Sequence, residues 1–428
     1  NPPNTVFSYS NLGYGLLGHA VTQSSGQDFI AYVDEAILRP LGMNSSSFTI
    51  TPEIDQLRSK EYRSGEEVTH SWFRDLPAGA LSTSVQDLSR FMMMVFGDGE
   101  ADGQRILKTE TLAEMLRPQN SDVPLDLDIR WGLSWWLAPV GLEYAGKNAW
   151  HSGGEGMWNS LLYTLPDRQL GVVVLSNSAE AAGMPEFQIA GTILEQALAV
   201  KTGLEKSVVE APEVVSLSAG ELLNYAGRYT TGLGRMDIRV DGDDLYADVV
   251  GQSFKLLPHS GGRFSIEGLA WRDAQMTIRT VDGRTALKLF GLAIGGLGYG
   301  ERIEPSPVSE AWIDRLGAYE ISSGMSGFSD LFASLQLKYE DDFLLLDVKC
   351  AIECDQIVFT IDPISDNDAL VLGLGTRRGE TVSFVNVDGN EYLSFGGYLM
   401  RKLSAAELLQ AALEDAVASS ETQYPGAV

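Results

Sequence analysis

Trp150-His151-Ser152-Gly153-Gly154, with apolar runs at 160–166 and 170–177 behind it, decides how the front half of this chain folds. The turn Pro166-Asp167-Arg168-Gln169 joins the two runs, so they read as paired antiparallel strands. Gly171-Val172-Val173-Val174-Leu175 lacks polar alternation, as in a strand covered on both faces. His151-Ser152-Gly153 reads as an edge strand of the same sheet. Gly153 and Gly154 carry no side chain, which lets another molecule lie close to the backbone. A helix over 185–200 would pack across that sheet. The expected fold of the front half is an α+β body of antiparallel sheet and helices.

Upstream, Leu12, Leu16, Leu17, Ala20 and Val21 have helical spacing, and Gly26 marks a stop. Asp28 caps a second helix carrying Phe29, Tyr32, Val33 and Ile37, which exits through Leu38-Arg39-Pro40-Leu41-Gly42-Met43. Pro77-Ala78-Gly79-Ala80-Leu81 reads as a turn, and Ser82-Thr83-Ser84 leads into a helix over 85–96. Another helix is expected over 109–116. Trp131-Gly132-Leu133-Ser134-Trp135-Trp136 reads as a strand.

Beyond a linker at 206–217, helical patterns give way to short strands. Asp-Gly, Gly-Gly and Asp-Asp turns recur every 8–12 residues, the spacing of antiparallel β-barrels. A weak internal repeat accompanies them. Tyr225-Ala226-Gly227-Arg228-Tyr229 precedes Asp241-Gly242-Asp243-Asp244, and Leu316-Gly317-Ala318-Tyr319 precedes Glu340-Asp341-Asp342. The second copy carries extra residues near 322–330. The expected domains are a body at 1–205, barrels at 218–305 and 310–403, and a terminal helix and tail at 404–428.

The formal charge of −27 is spread evenly: 1–200 hold 24 acidic and 12 basic side chains, the remainder 34 and 19. Such a field repels nucleic acid and anionic lipid. No apolar run approaches the ~18–20 residues of a membrane span. The two cysteines, Cys350 and Cys354, lie too far apart on an extended strand for a disulfide, and four histidines in the chain give little for a metal site.

Tyr9-Ser10-Asn11 stands 142 residues before His151. Tyr9 and Asn11, at i and i+2, can face one cleft. A phenol becomes a base only beside a cation, and an asparagine amide both donates and accepts. The backbone N–H near Gly154 can serve an oxyanion, and His151 can polarise a leaving group.

On these residues the front of the chain resembles the class C β-lactamase and penicillin-binding-protein-like superfamily of serine hydrolases, with its esterases and D-peptidases. The matching runs are Phe7-Ser8-Tyr9-Ser10-Asn11-Leu12-Gly13-Tyr14, Pro40-Leu41-Gly42-Met43, Pro77-Ala78-Gly79-Ala80-Leu81-Ser82-Thr83, Trp131-Gly132-Leu133-Ser134-Trp135 and His151-Ser152-Gly153-Gly154. The resemblance implies that Tyr9 is the acid/base, that Asn11 contacts substrate and lysine, and that His151 stands where the family has the lysine of Lys-Thr-Gly. Ser152, Gly153 and Gly154 would line the substrate and oxyanion subsite. It further implies acyl transfer to serine on small esters, amides or peptides, no metal or organic cofactor, and a secreted or periplasmic address. A small-molecule or peptide substrate is the expected partner, with no nucleic acid and no membrane span; homo-oligomer formation stays open. The barrels resemble the lipocalin-like C-terminal domains of some peptidases in this superfamily, and the glycine-rich 290–300 is a candidate for a segment reaching the cleft.

The family's nucleophile motif, Ser-x-x-Lys, occurs nowhere in the 428 residues. The family places it before the tyrosine motif, so the sequence is expected to be an N-terminal truncation, inactive by itself. The alternative is a non-catalytic binding protein on a degenerate hydrolase body. Among the remaining aromatic residues, His19 reads as solvent-exposed or satisfied locally, His70 as a loop residue beside Trp72 and Phe73 with a cleft border as the lesser alternative, and His259 as an inert barrel turn. Trp135, Trp136 and Trp158 read as core or wall.

Overall fold

The computed structural model describes residues 2–68, 76–155, 157–178, 184–205, 212–231, 234–249, 251–271, 274–291, 296–323, 332–350, 357–375 and 378–410. His70, Trp72, Phe73, Cys354, the middle of the glycine-rich run, residues 324–330 of the second repeat's extra stretch, 206–211 of the expected linker and 411–428 of the expected helix and tail lie outside them.

The chain divides into two compact units, one formed by Asn1–Asn224, Asp241–Leu245 and Phe254–Tyr299, the other by Tyr225–Val240, Tyr246–Ser253 and Gly300–Val428. In the first unit, strands Ala149–Glu155, Trp158–Leu165 and Leu170–Ser176 form an antiparallel sheet in that order, with Ala149–Glu155 at the edge. Helix Met184–Thr202 covers one face, where Leu194 and Leu198 pack with Trp150, Leu161, Tyr163 and Val172. Helix Val85–Phe96 presses on the other, close enough that a Cβ on Gly171 would sit 2.2 Å from the sulfur of Met92. Two layers of helix around one sheet explain the unbroken apolar run at 171–175.

Local chemistry sets the helix limits. Ser84 caps Val85–Phe96 by accepting the Asp87 N–H at 3.2 Å. The helix Asn11–Ser25 ends at Gly26, whose φ of 72° suits a residue without Cβ. Asp28 caps Phe29–Val33 through the Ile30 N–H, and the helix then widens into a π turn at Asp34–Leu38.

Two expectations fail here. Trp131–Trp136 is not a strand: Ser134 has a φ of 65°, and only isolated bridges join Trp131 to Trp136 and Trp136 to Trp150. The three indoles cluster instead, Trp136 lying 4.1 Å from Trp131 and 4.7 Å from Trp150 between ring centroids. The turn at 77–81 is the single helical turn Leu76–Gly79, wound because Pro77 can open a helix and packs on Gly18.

Eight strands from Gly227–Thr231 to Gly296–Ile303 pair in chain order, and the last pairs with the first to close a barrel. Eight more, from Gly317–Ser323 to Tyr398–Lys402, do the same. The repeat read in the sequence has a physical counterpart. A short helix, Ala219–Leu223 or Glu310–Ile313, precedes each barrel. Each barrel then opens on a glycine of the same conformation, Gly227 at φ 144° and Gly317 at 142°. Two residues on, the buried Tyr229 and Tyr319 hydroxyls donate to the carbonyls of Tyr225 and Arg315, at 2.8 and 2.6 Å. His259 is not in an inert turn. It is buried in strand Gln252–His259, bonded to Ser265 at 2.8 Å and to the Glu213 carbonyl at 3.1 Å. No helix among the described residues is long and apolar enough to cross a membrane.

Candidate active site

Tyr9-Ser10-Asn11 straddles the start of helix Asn11–Ser25. Ser10 is the N-cap, its hydroxyl accepting the Gly13 N–H at 3.0 Å. That bond turns the serine into the helix, while Tyr9 and Asn11 line a cleft of about 2090 Å³. One turn on, the Tyr14 and Ser134 hydroxyls share a hydrogen bond of 2.7 Å. It ties the front of the helix to the loop that the aromatic run forms.

His151 lies on the edge strand across the cleft, its ring centroid 6.2 Å from that of Tyr9. Ser152, Gly153 and Gly154 line the same hollow. All six residues singled out in the sequence are therefore brought together in one unit. The ladder sets which backbone groups face out. Trp150 exchanges both main-chain bonds with Trp136, at 3.0 and 2.9 Å, on the side away from Trp158–Leu165. Alternation along a strand turns the N–H groups of Ser152 and Gly154 to that same outer edge. A Cβ on Gly153 would lie 2.5 Å from the Ser160 hydroxyl, which would have to turn to another rotamer to admit it.

Burial sets the charge state of the two facing rings. His151 donates its Nδ1–H to the Ser152 carbonyl at 2.6 Å, which leaves Nε2 as an acceptor in the neutral ring. Burial pushes the imidazole pKa down, and the hydrogen bond to Ser152 only partly offsets it. Burial, reinforced by Tyr14, pushes the Tyr9 phenol up. At neutral pH the phenol keeps its proton and the imidazole has none to spare on Nε2. The pair can act on a molecule bound between them, the phenol donating and the imidazole accepting, beside a strand edge whose N–H can hold an oxyanion.

The cleft holds residues that the sequence reading passed over or took as wall. Ser134 and Trp136 line it, as do Glu155 and Trp158. The indole N–H of Trp158 donates to Ser59 at 2.8 Å. Burial, then the neighbouring Glu61, raises the Glu155 carboxyl to about 7. The signal for Glu155 was available: it continues the Gly-Gly edge by one residue. Among the described residues no group of three or more His, Cys, Asp or Glu side chains is placed to hold a metal ion.

The beta-lactamase family model matches residues 1–191. Penicillin-binding protein 4 of Amycolatopsis lactamdurans is 29% identical over 196 residues, covering 42% of this chain and 49% of that protein. The D-alanyl-D-alanine-carboxypeptidase/endopeptidase AmpH of Escherichia coli (strain K12) is 26% identical over 181 residues, 40% of this chain and 46% of its own length. Putative beta-lactamase-like 1 of Homo sapiens is 30% identical over 121 residues, 27% and 23% of the two chains. This chain thus spans about half or less of the curated relatives it matches. Among solved structures, the octameric penicillin-binding protein homologue from Pyrococcus abyssi aligns with a TM-score of 0.40 and 26% identity, over 68% of this chain and 62% of that one. SurE aligns with a TM-score of 0.46 and 25% identity, over 71% and 69%. The N-terminal region, residues 1–191, belongs to the β-lactamase and penicillin-binding-protein-like superfamily of serine hydrolases.

Proposed function

We propose that this chain carries the tyrosine and histidine side of an acyl-transfer site for small esters, amides or D-amino-acid peptides, working through an acyl-enzyme outside the cytoplasm. One observation carries the reading: the Tyr9 and His151 rings stand 6.2 Å apart at a single cleft, beside an exposed Gly153-Gly154 edge. In this reading Tyr9 relays the proton and Asn11 holds the substrate amide. His151 orients and polarises the group beside the leaving atom through its Nε2 lone pair, Ser152 and Gly153 flank the scissile bond, and the Gly154 N–H stabilises the oxyanion. One such donor is worth about 2.7–4 kcal/mol. A neutral imidazole grips a carboxylate less than a permanent cation does, which favours short acyl esters over β-lactams. We assign the site to 1–205, with 206–217 as linker, barrels at 218–305 and 310–403, and 404–428 as a terminal helix and tail.

No Ser-x-x-Lys occurs in the 428 residues, and removing a serine nucleophile lowers turnover about 10⁶-fold. These residues alone are expected to be inactive. The test expresses the complete reading frame in which they lie and compares hydrolysis of p-nitrophenyl esters with that of nitrocefin. Ester turnover is expected to exceed nitrocefin turnover, and Tyr9→Phe to lower it about 10²–10⁴-fold. Nitrocefin turnover that equals or exceeds ester turnover, or a Y9F enzyme with undiminished rate, overturns the reading. The missing Ser-x-x-Lys favours one rival, a non-catalytic binding protein. That rival requires that a fluorophosphonate leave the expressed protein unlabelled.

A further inference from the structure

Residues 2–10 form neither helix nor strand, so the approach to Tyr9 is fixed by contacts rather than by secondary structure. Two contacts dominate. The Phe7 ring stacks on Trp131 with centroids 3.6 Å apart and planes at 7°. The Phe7 N–H donates to the Asp126 carboxylate at 2.6 Å. Asp126 is 1% exposed, and its second oxygen accepts the Asn120 side-chain N–H at 2.5 Å.

The loop that presents Asp126 is a short helical turn, Pro124–Asp126, closed by the Leu127 N–H on the Pro124 carbonyl at 3.2 Å, and it runs on into two strained residues. Leu127 and Asp128 sit at φ 48° and 70°, where residues with a Cβ are disfavoured. Three side chains of the first barrel, Arg279, Lys288 and Tyr299, all within the same compact unit as the loop, brace it. Tyr299 donates its hydroxyl to the Asp126 carbonyl at 3.2 Å. Lys288 donates its ammonium to the Leu127 carbonyl at 2.8 Å. Arg279 pairs with the Asp128 carboxylate at 2.6 Å. Lys288 is half-buried, and burial lowers its pKa to about 8 against the opposing pull of the Asp128 carboxylate.

We propose that Asp126, Lys288 and Tyr299 are positioning residues, through which the first barrel sets where the Tyr9 phenol stands against His151. The route is short: barrel strand, loop carbonyl, Asp126 carboxylate, Phe7 amide, and two residues to Tyr9. It rests on Tyr9 and His151 forming the site, but its test needs no turnover.

The chain has four histidines, so ¹⁵N-histidine labelling of the full chain gives few imidazole signals, and His151→Gln assigns the one needed. Tyr9→Ala calibrates how far the His151 signals move when the phenol leaves. Asp126→Asn can satisfy only one of the two donors now served, and Lys288→Met with Tyr299→Phe removes two barrel donors. Both are expected to move the His151 signals in the Y9A direction by at least half as far, with His19 unmoved. His259 reports on barrel integrity. If D126N loses the His259 signal, the single K288M and Y299F variants decide. His151 signals that stay in place while melting temperature falls would falsify positioning and leave a purely structural brace. A Y9A variant that leaves His151 unmoved overturns it too. Absent ester turnover, by contrast, counts only against the proposed hydrolase.

Discussion

Glu155 is the residue in the cleft with the clearest electrostatic consequence. Burial and Glu61 raise its carboxyl to about 7, against an ordinary glutamate near 4.5. The folded chain therefore binds that proton more tightly than the unfolded chain does. Its stabilising contribution is complete below about pH 4.5 and is lost as pH climbs through about 7. Glu155→Gln never ionises. Its melting temperature is expected to match that of the unaltered chain near pH 5 and to exceed it near pH 8, read by differential scanning fluorimetry. A gap that does not widen between those pH values rules out the raised carboxyl. Two further residues show what a sequence can reveal at this scale. Tyr9 and His151 were legible because their neighbours, Asn11 and Gly153-Gly154, made each more than an aromatic residue. Ser134 was not, because its left-handed φ of 65° appears only once the Trp131–Trp136 run has folded back on itself.

Among elements, the helix that begins at Asn11 bears most on the site, because its first turn carries Asn11 and its cap carries Tyr9's successor. It is set against Leu76–Gly79 by Gly18, where a Cβ would lie 2.2 Å from the Pro77 ring. Gly18→Ala is expected to destabilise the chain by about 1–3 kcal/mol, measured as a shift in the urea midpoint with unchanged m-value. A variant as stable as the parent would mean that the two helices are not held by this contact. Helices announced by a polar cap and a glycine stop were readable to within a residue or two, as at 85–96. The tryptophan run was not. Its residue types favour strands, but Trp136 bonds to Trp150 on one side only, and stacking among indoles holds the rest. Aromatic packing outweighed propensity there, and no neighbour-by-neighbour pattern encodes which ring meets which.

At the level of the whole molecule, two barrels built to one plan predict matched responses. Tyr229 is 0% and Tyr319 3% exposed, and each hydroxyl satisfies a carbonyl just ahead of its strand. Tyr229→Phe and Tyr319→Phe should each destabilise by about 0.5–1.5 kcal/mol by removing that hydrogen bond. The double variant should add the two losses within about 0.5 kcal/mol. A large non-additive remainder in equilibrium unfolding would mean that the two tyrosines share one cooperative network. The barrels were legible from turn spacing and from the repeated Gly-x-Tyr, since closure by sequential pairing needs only local turns. Their closure has a further result. In the second barrel Tyr319, near the beginning, sits opposite Lys402, near the end. Polypeptide arrives and departs at neighbouring points, so joining the two ends and opening the barrel at another turn would give a circular permutant with the same strand pairing.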